Sequence, residues 1–159
     1  MRRLAKRKPA EPKPRATAVA VEIVFLLTFG GRAVARLGAI PALALSGAAG
    51  VLRWGAMMFD PTGSLLWPIQ GLHALTFALA HLGAIAFIAR AVPDRYAAAA
   101  QGATGAMVGG IMALAMLLAS ALYPRLGGLT YGIGVALSLT GTLLALALAR
   151  RWEGREIAV

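Results

Sequence analysis

An uncharged run in the middle of the chain, residues 64–89, reads SLLWPIQGLHALTFALAHLGAIAFIA. Crossing a hydrocarbon core of about 30 Å takes about 20 helical residues at about 1.5 Å each. This run of 26 residues exceeds that length. Its apolar residues do not alternate with polar ones, as they do in the strands of membrane β-barrels. The run therefore predicts an α-helix that spans a membrane.

Three other runs are also apolar and free of formal charges. Residues 96–124 and 126–149 carry no formal charge and are long enough to span. Residues 37–52 become long enough only if the helix continues past Arg53 to Phe59, so that the arginine must snorkel or find a partner. We therefore predict four spanning helices, at about residues 38–59, 64–89, 96–122 and 127–149.

The composition of the whole chain fits a membrane protein. Its 159 residues are 59% hydrophobic and 14% charged, with a mean hydropathy of +0.73. Soluble domains have about 45–50% apolar and about 25% charged residues. The expected fold is an all-α integral membrane bundle of four spanning helices plus one marginal N-terminal helix, all within residues 16–150. A buried helix cluster in a soluble domain is the alternative. The chain has no cysteine, which excludes disulfides and thiolate metal sites.

The N-terminal part is more ambiguous. Residues 16–31 are apolar but short, and Glu22 interrupts them. A signal peptide fits superficially, but Glu22 and the helices that follow argue against it. A marginal spanning helix and a helix lying on the cytoplasmic face both remain open. Residues 1–15 carry seven Lys or Arg and three prolines, and are expected to be disordered.

The distribution of basic residues predicts the orientation. The net charge is +10. With four spanning helices and both termini in the cytoplasm, most Lys and Arg residues lie inside, and Arg53 and Arg125 lie outside. The prediction is a multi-pass protein of the inner or plasma membrane, with residues 151–159 as a cytoplasmic tail. The basic N-terminal tail then anchors the topology on the cytoplasmic side. Contact of this tail with anionic lipid or nucleic acid is the other interpretation, although no nucleic-acid partner is expected for the chain.

Polar residues form one face of the predicted helix 64–89. Gln70, His73, Phe77 and His81 fall within an arc of about 80°. Ionisable residues inside a membrane are costly, and imidazole titrates near physiological pH, so His73 and His81 are candidates for a proton relay or a solute site. The alternative is an interhelical hydrogen bond. The two histidines are about 12 Å apart along the helix, so no metal site is expected, and no cofactor.

Two further charged residues are candidates for the same pathway. A bundle-facing Arg53 would bind a carboxylate or pair with an acid. Its alternative role is an ordinary interface position beside Trp54. Glu22 is the candidate acidic partner if residues 16–31 insert into the membrane.

Small residues form a ridge on the predicted helix 96–122. Residues at this spacing allow two helix backbones to approach closely, so the ridge predicts helix packing. Phosphate-binding and hydrolase motifs are absent from the sequence, and we expect no enzyme. The ridge consists of Gly102, Ala106 and Gly110, with Gly105 and Gly109 beside them.

The order of these motifs resembles a known family. Leu52-Arg53-Trp54, then residues 70–77 (QGLHALTF), then His81 are similar to the ninth and tenth helices of major facilitator superfamily transporters. The branch with phenylpropionate, nucleoside and lactose proton symporters is the most similar. In its sugar transporters an acid follows the histidine by three residues, whereas this chain has Thr76. The resemblance covers about residues 18–150 and implies the last third of a twelve-helix transporter.

Two functional hypotheses follow. The first is the C-terminal part of a proton-linked transporter of small organic solutes, in split or truncated form. It would need a chain that supplies the missing half, or self-association. The second is a small non-transporting membrane protein that packs against a partner helix or is anchored to anionic lipid. Both have the lipid bilayer as a partner.

Overall fold

A computed structural model of the protein describes residues 30–156. Within this range there are α-helices and two 3₁₀ turns, Gly63–Leu65 and Gly127–Tyr131, and no strand. The prediction of an all-α membrane protein is thereby confirmed. Residues 1–15, Glu22 and nearly all of the predicted segment 16–31 lie outside the described residues. The helices are α1 Gly31–Leu37, α2 Ala39–Met57, α3 Leu66–Ala91, α4 Asp94–Leu126 and α5 Gly132–Arg151.

Three helical stretches in the described chain are long and apolar enough to cross a membrane: Ala39–Met57, Gly63–Ala91 and Asp94–Arg151. The last has 58 residues, more than twice the length that a bilayer requires. It divides at the 3₁₀ turn, where Gly127 has a φ of +53°, a conformation that favours glycine. The stretch therefore comprises two helices, α4 and α5.

The local sequence explains where the helices begin and end. Gly38, with a φ of +89°, separates α1 from α2. Val92 is extended because the residue before a proline is disfavoured in the helical region, so α3 ends just before Pro93. Asp94 is the first residue of α4, where the positive end of the helix dipole stabilises its carboxylate.

α2 is the central helix and packs against α3 on one side. The Ser46 hydroxyl donates a 2.6 Å hydrogen bond to the Thr76 carbonyl oxygen. Farther along, a Cβ at Gly83 would lie 3.1 Å from the Leu43 side chain, so only a glycine allows this approach without a shift of its neighbour. Since residue numbers rise along α2 as those of their partners fall along α3, the two helices are antiparallel. Val34 of α1 covers this contact by packing with Ala42 and Leu79.

On its other side α2 packs against α5, also antiparallel. Gly47 faces the Thr142 hydroxyl, and Gly50 faces the Ser138 hydroxyl. One further turn along, Gly134 lies against the Trp54 ring. Glycines on both helices thus allow α2 and α5 to approach closely. Because α2 lies between α3 and α5, the three helices form one layer.

The two ends of this layer differ in charge. At one end the Phe87 and Trp152 rings meet edge to face, 5.2 Å apart, which places Arg90 and Arg151 at the same end. At the other end the loop after α2 reaches the turn before α5, where Asp60 lies against Gly128. The described chain therefore places the basic ends of α3 and α5 together.

α4 stands apart from the layer. None of its 33 residues is buried, although it connects α3 to α5. Its large apolar side chains are exposed, among them Met107 at 66% and Leu117 at 69%. Within residues 30–156, α4 therefore has one long apolar surface that the rest of the chain leaves uncovered.

Candidate functional site

The two histidines of α3 lie in one row with a phenylalanine between them. The ring centroids of His73 and Phe77 are 6.4 Å apart, and those of Phe77 and His81 are 5.9 Å apart with nearly parallel planes. Gln70 precedes His73 by three residues on the same face of the helix. The structure therefore brings together the four residues that the sequence placed on one face. We call them the histidine face.

This face points away from the contacts that hold α3 in the layer. Leu79 and Gly83 face α1 and α2, roughly on the opposite side of the helix. His81 is exposed, and Phe77 is 46% exposed. His73 and Gln70 are half-buried. In a membrane-spanning helix, such a polar face needs other helices or a water-filled path beside it.

Thr76 lies next to the histidine face and connects it to α2. Its backbone carbonyl accepts the Ser46 hydrogen bond, and its own hydroxyl donates a 2.8 Å bond to the His73 carbonyl. The Thr76 side chain is thus satisfied within the helix. The contact with Ser46 fixes the rotation of α3 relative to α2, and therefore the direction in which His73 points.

Arg53 lies near the end of α2, level with the Gln70 end of the histidine face. Its guanidinium carbon is 4.3 Å from the centroid of the Trp54 ring, within the range of a cation–π contact. Arg53 is two turns beyond Ser46, about 10 Å along α2, and Gln70 is about 9 Å from Thr76 in the matching direction along α3. Arg53 and Gln70 therefore lie at similar depths on neighbouring helices.

The Arg53 side chain is half-buried, and its Nε has no hydrogen-bond partner in the part of the chain that the structure describes. Burying such a donor without a partner costs free energy. The proposed acidic partner, Glu22, lies outside the described residues. Among residues 30–156 there is no group of three His, Asp or Glu residues that could hold a metal ion.

The small-residue ridge has no packing partner in the described chain. A Cβ added at any of its four glycines would have no atom within 4 Å outside its own helix. Every residue of the ridge is exposed. The prediction that the ridge packs against a helix stays a prediction, which requires a surface from outside residues 30–156. The four glycines are Gly102, Gly105, Gly109 and Gly110.

Comparison with known proteins places this arrangement in a family. The model of the MFS_1 like family matches residues 15–139, most of the chain, and covers α1 to α4 and the first part of α5. The chain belongs to the MFS_1 like family. It is thus a transporter-related membrane protein. No curated protein and no solved structure matches it.

Sequence reasoning missed an aromatic cluster in this MFS_1 like chain. The Trp54 ring stacks on Tyr131 at 5.8 Å, and Tyr131 meets Tyr123 edge to face at 6.3 Å. The three residues come from α2, α4 and the turn before α5. Trp54 is far from the two tyrosines in the sequence, so no local pattern predicts their contact. Tryptophan and tyrosine near the ends of apolar runs are typical of a membrane interface, and this shared position could have indicated that they lie close together.

Proposed function

We propose that this chain forms the C-terminal part of a proton-linked transporter of small organic solutes. The observation that supports the proposal most strongly is the histidine face. It places two imidazoles and an amide on one side of a spanning helix, facing away from the helices that hold α3 in position. Membership of the MFS_1 like family supports transport as the general activity.

The residues of the site would have different roles. His73, which is half-buried on α3, would take up and release the proton. Gln70 would hydrogen-bond the solute, and Arg53 would contact an anionic group of the solute or an acidic side chain. His81, which is exposed and stacked on Phe77, would support the aromatic row.

The pathway would need a second wall. Transporters of this kind move solute at an interface between two helical repeats. We propose that this wall comes from a partner chain with the remaining helices, or from a second copy. The chain itself would be a split or truncated form of the transporter.

Transport by the purified chain tests the proposal. Labelled aromatic acids and nucleosides would be offered to proteoliposomes that contain it, with and without an inward proton gradient. We expect gradient-dependent uptake, and at least a tenfold loss of uptake in His73→Ala, because the proton-carrying group is removed. Ser120→Ala is the matched control, since that exposed hydroxyl only bonds its own helix, at Leu117.

Two results would count against the proposal. If His73→Ala keeps its uptake and an unchanged pH profile, His73 is not the coupling residue. If the folded, inserted chain shows no uptake either alone or with a co-expressed partner chain, it does not transport. Insertion of each variant is checked by its resistance to extraction with alkaline carbonate.

The exposed small-residue ridge favours a second candidate function. A non-transporting chain would use α4 as a docking helix, since nothing in the described chain contacts its glycines. The double variant Gly105→Leu, Gly109→Leu would then no longer form a chemical cross-link between α4 and a partner helix. Proton-driven uptake by any associated transporter would be unchanged. Loss of uptake in the same double variant would favour the first function instead.

We further propose the inner membrane of a bacterium as the location, with both termini in the cytoplasm. The basic ends of α3 and α5 lie at the same end of the layer, which supports this orientation.

A further inference from the structure

A groove of about 460 Å³ runs between α4 and α5. One wall is formed by α4 residues between Val108 and Ala119, and the other by α5 residues between Ile133 and Ser138. Trp54, Thr130 and Tyr131 close one end. We call this the α4–α5 groove. It lies on the α5 side of α2, whereas the histidine face belongs to α3, so it is separate from the proposed transport pathway.

The chemistry of the groove suits an uncharged, flexible, apolar occupant. No Asp, Glu, Lys, Arg or His lines it. Its α4 wall includes Met112 and Met116, which are 58% and 68% exposed, so the groove is open on the side that lipid would contact. Methionine side chains adapt to chains of irregular shape.

The length and depth of the groove match one leaflet of a bilayer. From Val108 to Ala119 the α4 wall extends about 16 Å. Half of a hydrocarbon core is about 15 Å. The closed end carries Trp54 and Tyr131, whose type and position at the helix ends are typical of the headgroup level. The groove therefore runs from the membrane interface towards the midplane, in the direction that an acyl chain takes.

One polar atom in the groove has no partner. Thr130 is 3% exposed, and its Oγ1 has no hydrogen-bond partner among the residues that the structure describes. A buried hydroxyl without a partner is destabilising, so a ligand that supplies an acceptor would be favoured there. Thr130 lies beside Tyr131 at the closed end, which its aromatic residues assign to the membrane interface.

We propose that the α4–α5 groove binds one acyl chain of a phospholipid. Its ester carbonyl would lie at the closed end, where the buried Thr130 hydroxyl turns towards the groove and donates a hydrogen bond to it. The lipid fills the gap that separates α4 from the layer and holds the helix at that distance. This site is independent of transport, since it needs only that the chain spans the membrane.

Fluorescence of Trp54 tests the proposal directly. The chain has three tryptophans, so Trp67→Phe and Trp152→Phe leave Trp54 as the reporter. The protein is reconstituted into vesicles of phosphatidylcholine brominated on one acyl chain, because bromine quenches an indole ring in contact with it. We expect strong quenching. Ala115→Phe, which fills the groove, should reduce it at least twofold, and Ala121→Phe, on the other side of α4, should not.

Two results would overturn the proposal. Equal quenching in the reporter protein, Ala115→Phe and Ala121→Phe would mean that Trp54 contacts only bulk lipid. Quenching that appears only when the protein is diluted in lipid would mean that a second copy of the chain occupies the groove.

A second measurement keeps the test valid if Ala115→Phe fails to fold. Unbrominated ester-linked and ether-linked phosphatidylcholines compete with the brominated lipid, and only the first offers a carbonyl to Thr130. We expect the ester lipid to compete about threefold better in the reporter protein. In Thr130→Val, which keeps the shape, the two should compete equally. Equal competition before the substitution would overturn the hydrogen bond and the assignment of this end to the ester group.

Discussion

Gly134 lies where α5 passes the Trp54 ring, and the fold has no room for a side chain at this position. A Cβ at this position would lie 2.6 Å from two atoms of the ring. We expect Gly134→Ala to destabilise the chain by about 1–3 kcal/mol, because one helix or the ring must move. The free energy of unfolding, measured by titrating SDS into mild detergent, checks this.

Gly141→Ala is the matched control for that substitution, because it lies in the same helix with nothing within 4 Å of the added Cβ. It should be neutral or stabilise by up to about 1 kcal/mol, since alanine has the higher helix propensity. Equal effects of the two substitutions would mean that α5 does not pass the ring as closely as the structure has it.

Ser46 makes a side-chain hydrogen bond between α2 and α3, to the Thr76 carbonyl. Removing it in Ser46→Ala should cost about 0.6–1.7 kcal/mol, the range found for such bonds in membrane proteins. Thr140→Ala is the control, because that hydroxyl bonds only the preceding turn of α5, at Ala136. If both changes have the same effect on unfolding in SDS, the bond between the helices contributes nothing measurable.

At the scale of the helices, α4 differs from the others because it has no buried residue. We therefore expect Gly105→Ala and Gly109→Ala to stabilise the isolated chain by up to about 1 kcal/mol each, through helix propensity alone. The same unfolding titration measures this. A loss of stability in either variant would mean that the ridge already packs against something in the purified protein, and the effect would then depend on protein concentration if the partner is a second copy.

The existence of the spanning helices could be predicted from sequence, but their packing could not. A charge-free run such as residues 64–89 is sufficient to predict a spanning helix, since length and hydropathy alone decide insertion. The histidine face was predictable too, because spacing within one helix fixes it. The contact of Gly134 with Trp54 joins residues 80 positions apart, and no local pattern encodes it. For the glycine ridge of α4 the opposite holds. The packing motif is evident from the sequence, but the described chain supplies no helix that packs against it.

The whole molecule has one end rich in arginine and one end rich in aromatic residues. α2 runs antiparallel to both α3 and α5, so the ends at Arg36, Arg90 and Arg150 lie together. Trp54 and Tyr131 lie at the opposite end. If the positive-inside rule governs insertion, the arginine end faces the cytoplasm. In that orientation, the lipid proposed for the α4–α5 groove would come from the outer leaflet.

Reporter fusions test this orientation. Alkaline phosphatase, which is active only outside the cytoplasm, would be fused after Arg95, Gly127 or Arg155. We expect activity for the fusion at Gly127 alone, because α4 crosses outward and α5 returns. A fluorescent protein that matures only in the cytoplasm should give the complementary pattern. Phosphatase activity at Arg95 and Arg155 but not at Gly127 would mean an inverted chain, and activity at one of these two alone would mean that α4 and α5 do not both cross.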